Sequence, residues 1–361
     1  MDRVMSRRLF LAFFVASAAA ASPARPARAA SPVKITVMAS GVDSFDEKYT
    51  RAVIRPFEAQ HPDIQVNYYP VRDSRNAMSV LRSQRMGPRI DVVILDPAHA
   101  RQAQREGLIT PVDPRQVPNA ADLGPLGREL GMWALPAMHD TMNLVYAESA
   151  FSSPPASWRE MWDPKYRGKL TIAANAGLDG SMIALTLLAN RLSGMPDNAG
   201  NFEPGFAYLE KLGPNVLTWT PRPSQYWLVA HHQALLAVGW NSRSETHKAA
   251  LEGYATTVPR EGTVVVTLMI AQVTDRPNSE AAQAFINYSL SPQAQQAFAQ
   301  AMFYAPSNQK TQVSDAMRAR IPLLSPNVAA SVIPVDWTGF SPEQLGAMLA
   351  AWQTRIMRTA R

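Results

Sequence analysis

Between Glu261 and Ala299 the chain reads EGTVVVTLMIAQVTDRPNSEAAQAFINYSLSPQAQQAFA. The stretch Thr263 to Ile270 carries no charge and no polar face, so it needs apolar partners on both sides. Period alone does not separate such a run from a buried helix, but its Val and Thr content favours a strand. Asp275-Arg276-Pro277-Asn278 ends it, and Asn278 or Ser279 is placed to cap a helix. In that helix Ala282, Phe285, Ile286 and Leu290 form one stripe. Ser291-Pro292 then starts another helix, with Ser as the cap and Pro at the first helical position. A strand buried on both faces and followed at once by two helices predicts an α/β architecture.

The opening residues read as an address. Ser6-Arg7-Arg8-Leu9-Phe10-Leu11 matches the twin-arginine export pattern, and an uncharged segment follows it to about Ala21. That segment is short for a bilayer span, and Ala27-Arg28-Ala29 offers a cleavage site, so residues 1–29 are expected to be a removed signal peptide. Charge supports the division. Five of the 35 basic residues and one of the 29 acidic ones fall in this segment. The remainder, 30 against 28, is nearly balanced, which argues against a nucleic-acid partner. Cysteine is absent from the sequence. Disulfides, thiolate metal sites and thiol nucleophiles are thereby excluded. His231-His232 project about 100° apart on a helix and cannot share an ion. No metal or cofactor is expected. No later run reaches membrane-spanning length, so a soluble mature protein is expected.

A mature chain of this length exceeds one ordinary core and predicts two lobes. The first opens with a strand at 33–39, a helix over 44–60 capped by Ser44 and interrupted by Pro56, and strands at 64–68 and 90–95. Trp133 to Glu148 carries the chain into the second lobe. There a strand is expected at 168–173 and a helix at 180–192 with Asp179, Gly180 or Ser181 at its cap. Further elements are a helix near 206–212, a short strand at 216–219, a helix at 224–232, a strand at 234–240 ending in Asn241-Ser242, a helix at 245–252 and a strand at 254–259. The segments 317–324 and 342–358 are predicted to be peripheral helices. The expected partition is lobe 1 from 30–141 plus 264–316, lobe 2 from 142–263, and a C-terminal helical extension over 317–361.

Four pieces in this order carry a resemblance: VKITVMASG with RPFEAQHPDIQV, WALPAMHDTMNLVYAES, SWREMWDPKYRGKLTIAA, and the VPREGTVVV to FINYSLSPQAQQAFA segment. Together they resemble the periplasmic solute-binding proteins of ABC importers, most nearly the polyamine type, from Val33 to about Thr311. The resemblance implies two lobes joined by two crossing strands, each lobe a parallel-type sheet flanked by helices. It also implies hinge closure on a small-molecule ligand, an inner-membrane ABC permease as partner, a monomer, a periplasmic location and no catalysis.

In open parallel sheets ligands sit beyond the carboxyl ends of the strands. That rule and the resemblance nominate Ser40, Gly41, Asp96, His99, His139, Asp140, Asp179, Gly180, Ser181, Trp240, Asn241, Ser242 and Tyr304. Gly180 and Ser181 begin a helix, whose free N–H groups suit an anion, although Asp179 would repel one and serves equally as a cap. Arg222, on a Pro-flanked loop, suits a carboxylate or phosphonate. One departure decides the expected ligand. The polyamine type places an aromatic and an acidic residue on the returning strand, where this chain has Val266 and Leu268. An ammonium buried there lacks a counter-charge. The expected ligand is therefore a small anionic or neutral polar solute, the alternative being a polyamine in an altered site. A ligand-sensing protein would share these features, and an exported hydrolase is disfavoured because no nucleophile elbow or triad is present.

Overall fold

The computed structural model describes residues 31–42, 44–174, 180–195 and 200–359. The twin-arginine segment, Asp43 and Asp179 lie outside the described residues. The first lobe starts with β1 (Val33–Ser40), α1 (Phe45–Tyr49), α2 (Arg55–Gln60), β2 (Ile64–Val71), α3 (Ser74–Ser83), β3 (Val92–Leu95), α4 (Pro97–Arg105) and β4 (Ile109–Thr110). The long β5 (Leu135–Ala147) leads to β6 (Leu170–Thr171), α5 (Gly180–Leu192), α6 (Glu203–Glu210), β7 (Val216–Thr218), α7 (Gln225–Ala230), β8 (Leu236–Trp240), α8 (Asn241–His247) and β9 (Tyr254–Thr257). The chain returns through β10 (Val265–Val273), α9 (Ser279–Ser289), α10 (Pro292–Met302) and β11 (Ala305–Pro306). It ends in α11 (Asp315–Arg318), α12 (Pro326–Ala330) and α13 (Pro342–Ala351).

The strands run in the order β2-β1-β3-β10-β5-β8-β6-β7. β1 is parallel to β2 and β3, and β6 is parallel to β7 and β8, as strand-helix-strand connections require. The two central strands are antiparallel to their neighbours and to each other. β10 is antiparallel to both β3 and β5, and β5 is antiparallel to β8 and β9. The charge-free run is therefore an interior strand with both edges paired, as its composition requires. Each lobe has apolar packing on both faces of its sheet: Phe57 and Phe285 against Leu81 and Met269 in the first, Trp158 and Leu188 against Tyr226 and Val229 in the second.

Several local expectations change. The helix expected over 44–60 is split by a π-helical turn at Thr50–Ile54, which places Pro56 in the first turn of α2, where its missing N–H costs nothing. Ser44 adopts φ 60° and gives no side-chain cap. Neither does Asn278 cap α9. Ser291 does cap α10, accepting from Ala294 N at 3.2 Å with Pro292 behind it. The expected helix at 245–252 begins earlier, directly at the end of β8, so Asn241 and Ser242 lie in the first turn of α8 rather than in a loop.

The C-terminal segment is the larger correction. Expected on the outside, it contributes Ile333, Trp337, Met348, Trp352 and Ile356 to the core of the second lobe. Trp352 is fully buried, donates to Thr186 Oγ1 at 3.0 Å and packs edge-on against Trp219. Helix periodicity in so short a stretch shows which residues face inward but not how deep the groove is. Trp352→Ala should lower the unfolding free energy by about 3–5 kcal/mol, read as a reduced urea midpoint. A loss within the range of a surface substitution would contradict the packing.

Candidate functional site

The geometry is set by β5, all of whose residues are buried. Leu135 to Thr141 pair with β10, and Met142 to Tyr146 pair with β8. The change of partner falls between Thr141 and Met142. There Asp140 accepts from Thr141 N at 2.9 Å, Ser242 N at 3.0 Å and Ser242 Oγ at 2.5 Å. Met142 N donates to Val264 O at 3.0 Å, and Thr263 Oγ1 donates to Met142 O at 2.5 Å. On the opposite face of β5, His139 Nδ1 meets Thr267 Oγ1 at 2.9 Å.

The remaining predicted residues fall into separate small groups. Trp240, at the end of β8, donates to Ser181 Oγ at 2.8 Å and so ties the strand end to the first turn of α5, next to half-buried Gly180. Asn241 donates to Phe303 O and Arg320 O at 3.1 and 3.0 Å. Beside Phe303, buried Tyr304 stacks on Phe298. Asp96 caps α4 through His99 N and holds the His99 ring at 2.7 Å. At the end of β1, Ser40 O accepts from the Tyr68 hydroxyl, and Gly41 lies so near β2 that a Cβ there would meet Pro70 Cβ at 2.7 Å. Arg222 is exposed on the loop between β7 and α7 and joins none of these groups among the described residues.

Sequence reasoning missed Thr267, Thr263 and Asn143. Asn143 carried a signal: it is the one amide inside the apolar stretch Met142 to Ala147. Among the described residues no group of three or more His, Asp and Glu is placed to hold a metal ion.

Protonation follows burial. Burial raises the Asp140 carboxyl to about 6, against the opposing pull of its hydrogen bonds to Ser242 and Thr141 and of nearby Arg243. Burial lowers His139 to about 4. For the Asp96–His99 pair, burial opposes both charges, but their mutual attraction prevails. Asp96 is held below the usual carboxylate range and His99 above the usual imidazole range.

Two α/β lobes bridged by antiparallel crossing strands are the architecture of a solute-binding protein. The profile of the bacterial extracellular solute-binding proteins matches residues 52–321, and the chain belongs to that family. Its members are periplasmic binding proteins rather than enzymes, and they deliver small molecules to ABC transporters. The γ-aminobutyric acid-binding protein of Pseudomonas aeruginosa is 24% identical over 279 residues, covering 73% of this chain and 76% of the relative. The spermidine/putrescine-binding periplasmic protein of Escherichia coli is 23% identical over 273 residues, 74% of each chain. The spermidine/putrescine substrate-binding protein of Streptococcus pneumoniae, solved with calcium and HEPES, superposes with a TM-score of 0.76 at 17% identity, covering 91% of this chain and 99% of that one. That likeness confirms the two-lobe fold.

The neighbouring pair His139 and Asp140 generates a test with a defined sign. The folded Asp140 pKa lies above its unfolded value, so Asp140 alone makes stability fall as pH rises from about 4 to 6. The folded His139 pKa lies below its unfolded value, so His139 alone makes stability fall as pH drops from 6.5 to about 4. In the native protein the two slopes oppose each other and nearly cancel. Asp140→Asn should expose the effect of the histidine alone, with stability dropping about 1.4 kcal/mol per pH unit on acidification. His139→Gln should expose the opposite slope. Denaturant titrations across pH 4 to 6 read both, and parallel profiles for the two variants would refute the assignment.

Proposed function

We infer that this chain is the substrate-binding component of an ABC importer and that its ligand is a small polar solute bearing an anionic or neutral group at the crossing. The carrying observation is the pairing of β10 with β5. Val266 stands opposite Asp140 and Leu268 opposite Met138, so both aliphatic residues are on the face away from the His139–Thr267 bond. In this reading that face is the floor of the cleft. The same reading assigns Ser40, Asp96, Ser181 and Trp240, at strand ends and a helix start, to the walls of that cleft, with the start of α5 offering N–H groups to an anion. Asp140 is buried and already accepts from Thr141 and Ser242, so it is a poor counter-charge for an amine.

The change of partners in β5 at Thr141 and Met142 supports lobe boundaries at 30–141 plus 264–316 and 142–263. Hinge closure about that crossing shuts the lobes on the ligand. The protein acts as a monomer and reaches the periplasm through the twin-arginine pathway, with cleavage after Ala29.

Calorimetry tests the ligand class. Spermidine and putrescine should bind about ten- to several-hundred-fold more weakly than a solute with an anionic end, because an unpaired ammonium in a closed cleft forfeits on the order of 1–3 kcal/mol or more. γ-Aminobutyrate, the ligand named for one relative, is the first comparison. Tight spermidine binding by the native protein would overturn this reading. For the export route, replacing Arg7 and Arg8 together by Lys should leave precursor in the cytoplasm. Normal periplasmic delivery of that variant would show that another pathway carries it.

A further inference from the structure

Behind the crossing, on the face of β5 opposite Met142 and Leu144, lies a cavity of about 450 Å³. Its lining includes Asn143, Asn241, Glu245, Lys248, Thr257 and Arg320, which come from the crossing strand, from α8 and the residue that ends it, from β9 and from the segment following α11. Asn143 is fully buried. Its amide orientation is fixed by its neighbour. Asn241 Nδ2 donates to two backbone carbonyls, Phe303 O and Arg320 O, so Asn241 Oδ1 must be the acceptor toward Asn143 Nδ2 at 3.1 Å. Asn143 Oδ1 is then left as an acceptor, and it has no hydrogen-bond partner. Rotating the amide does not help, because it would set two oxygens against each other. A buried acceptor in this condition calls for a donor from outside the protein.

The charges around it indicate what brings that donor. Glu245 is buried, and both of its oxygens are engaged, Oε1 by Lys248 Nζ at 2.5 Å and Oε2 by Arg320 Nε at 2.7 Å. Two cations against one carboxylate leave the wall positive, so a cationic guest is repelled and an anionic one attracted. Lys248 and Arg320 are both partly exposed, and Arg320 Nη2 also donates to Glu245 O at 3.4 Å. The Arg320 guanidinium is held in place over the Phe303 ring, 4.0 Å from its centroid.

We propose that the cavity behind the crossing is a second small-ligand site, separate from the interlobe cleft, for a hydroxycarboxylate whose carboxylate meets Lys248 and Arg320 and whose hydroxyl donates to Asn143 Oδ1. The volume suits such a molecule, since small-molecule sites span about 300–1,000 Å³.

Titrating the full mature protein with L-malate and with succinate, which lacks the hydroxyl, tests this. Malate should bind about tenfold more tightly than succinate. Lys248→Gln should weaken both, and Asn143→Leu should abolish the preference. Amide NMR shifts should move at Thr257 and Lys248 and stay fixed at Gly180 and Ser181. Absence of malate binding at millimolar concentration would overturn the proposal and leave water as the partner of Asn143. Shifts confined to Gly180 and Ser181 would also overturn it by placing malate in the cleft. If Asn143→Leu fails to fold, Lys248→Gln decides, and unchanged malate affinity in that variant refutes the site.

Discussion

The whole architecture depends on satisfying the backbone of one strand. β5 is buried along its full length, so each of its N–H and C=O groups needs a partner that water cannot provide. No single neighbour supplies them, because the first half of β5 pairs with β10 and the second half with β8. At the change of partner the ladder is interrupted, and side chains close the gap. The Asp140 carboxylate takes Thr141 N and Ser242 N, while Thr263 Oγ1 donates to the Met142 carbonyl. These bonds also fix what surrounds the crossing. Asp140 sets the start of α8, and with it the position of Asn241 and the cavity behind the strand.

A further connection joins the same place. Gly262, at φ 90°, passes so close to the C-terminal segment that a Cβ would lie 2.0 Å from Ser331 O. Ile333 N donates to Thr263 O at 2.8 Å, and Trp337 Nε1 donates to Val265 O at 2.9 Å. Arg101 of α4 reaches Thr338 Oγ1 at 3.4 Å. The segment that appeared peripheral from sequence is thus bonded to the returning strand and to the first lobe, while its tryptophans fill the core of the second.

What the sequence revealed follows the range of the forces involved. The charge-free strand, the helix at 180–192 and the Ser291-Pro292 start are encoded by neighbouring residues, and they were legible. The strand expected at 168–173 shrinks to two residues, because its length depends on which partners stand alongside. Ser44 looked like a cap from its type, but its backbone conformation comes from the turn leaving β1. In the candidate site, proximity to the strand ends was readable, and the pairings were not. Trp240 with Ser181 and Asp140 with Ser242 join residues far apart in the chain, and residue type alone does not specify either bond. Nor does it distinguish a histidine that meets solvent from His139, which burial holds neutral.

The alternation of β10 explains how one scaffold can serve different solutes. Thr267 points to the face where it bonds His139, and its neighbours Val266 and Leu268 point to the other. A change at Thr267 would leave a buried imidazole nitrogen without its partner, at the cost of an unsatisfied polar group. Val266 and Leu268 are only half-buried, and their side chains hold no hydrogen bond in place. They pack against the cores of the second and first lobes respectively, so they fill space between the lobes without fixing the crossing. Structural duty and the proposed ligand contact thus fall on alternate residues of the same strand. A carboxylate at 266 or 268 would alter the charge of the proposed floor while the bonds at Thr263, Thr267 and Asp140 remained in place. Ligand charge can therefore diverge among proteins of this fold at these positions without dismantling the crossing that holds the lobes together.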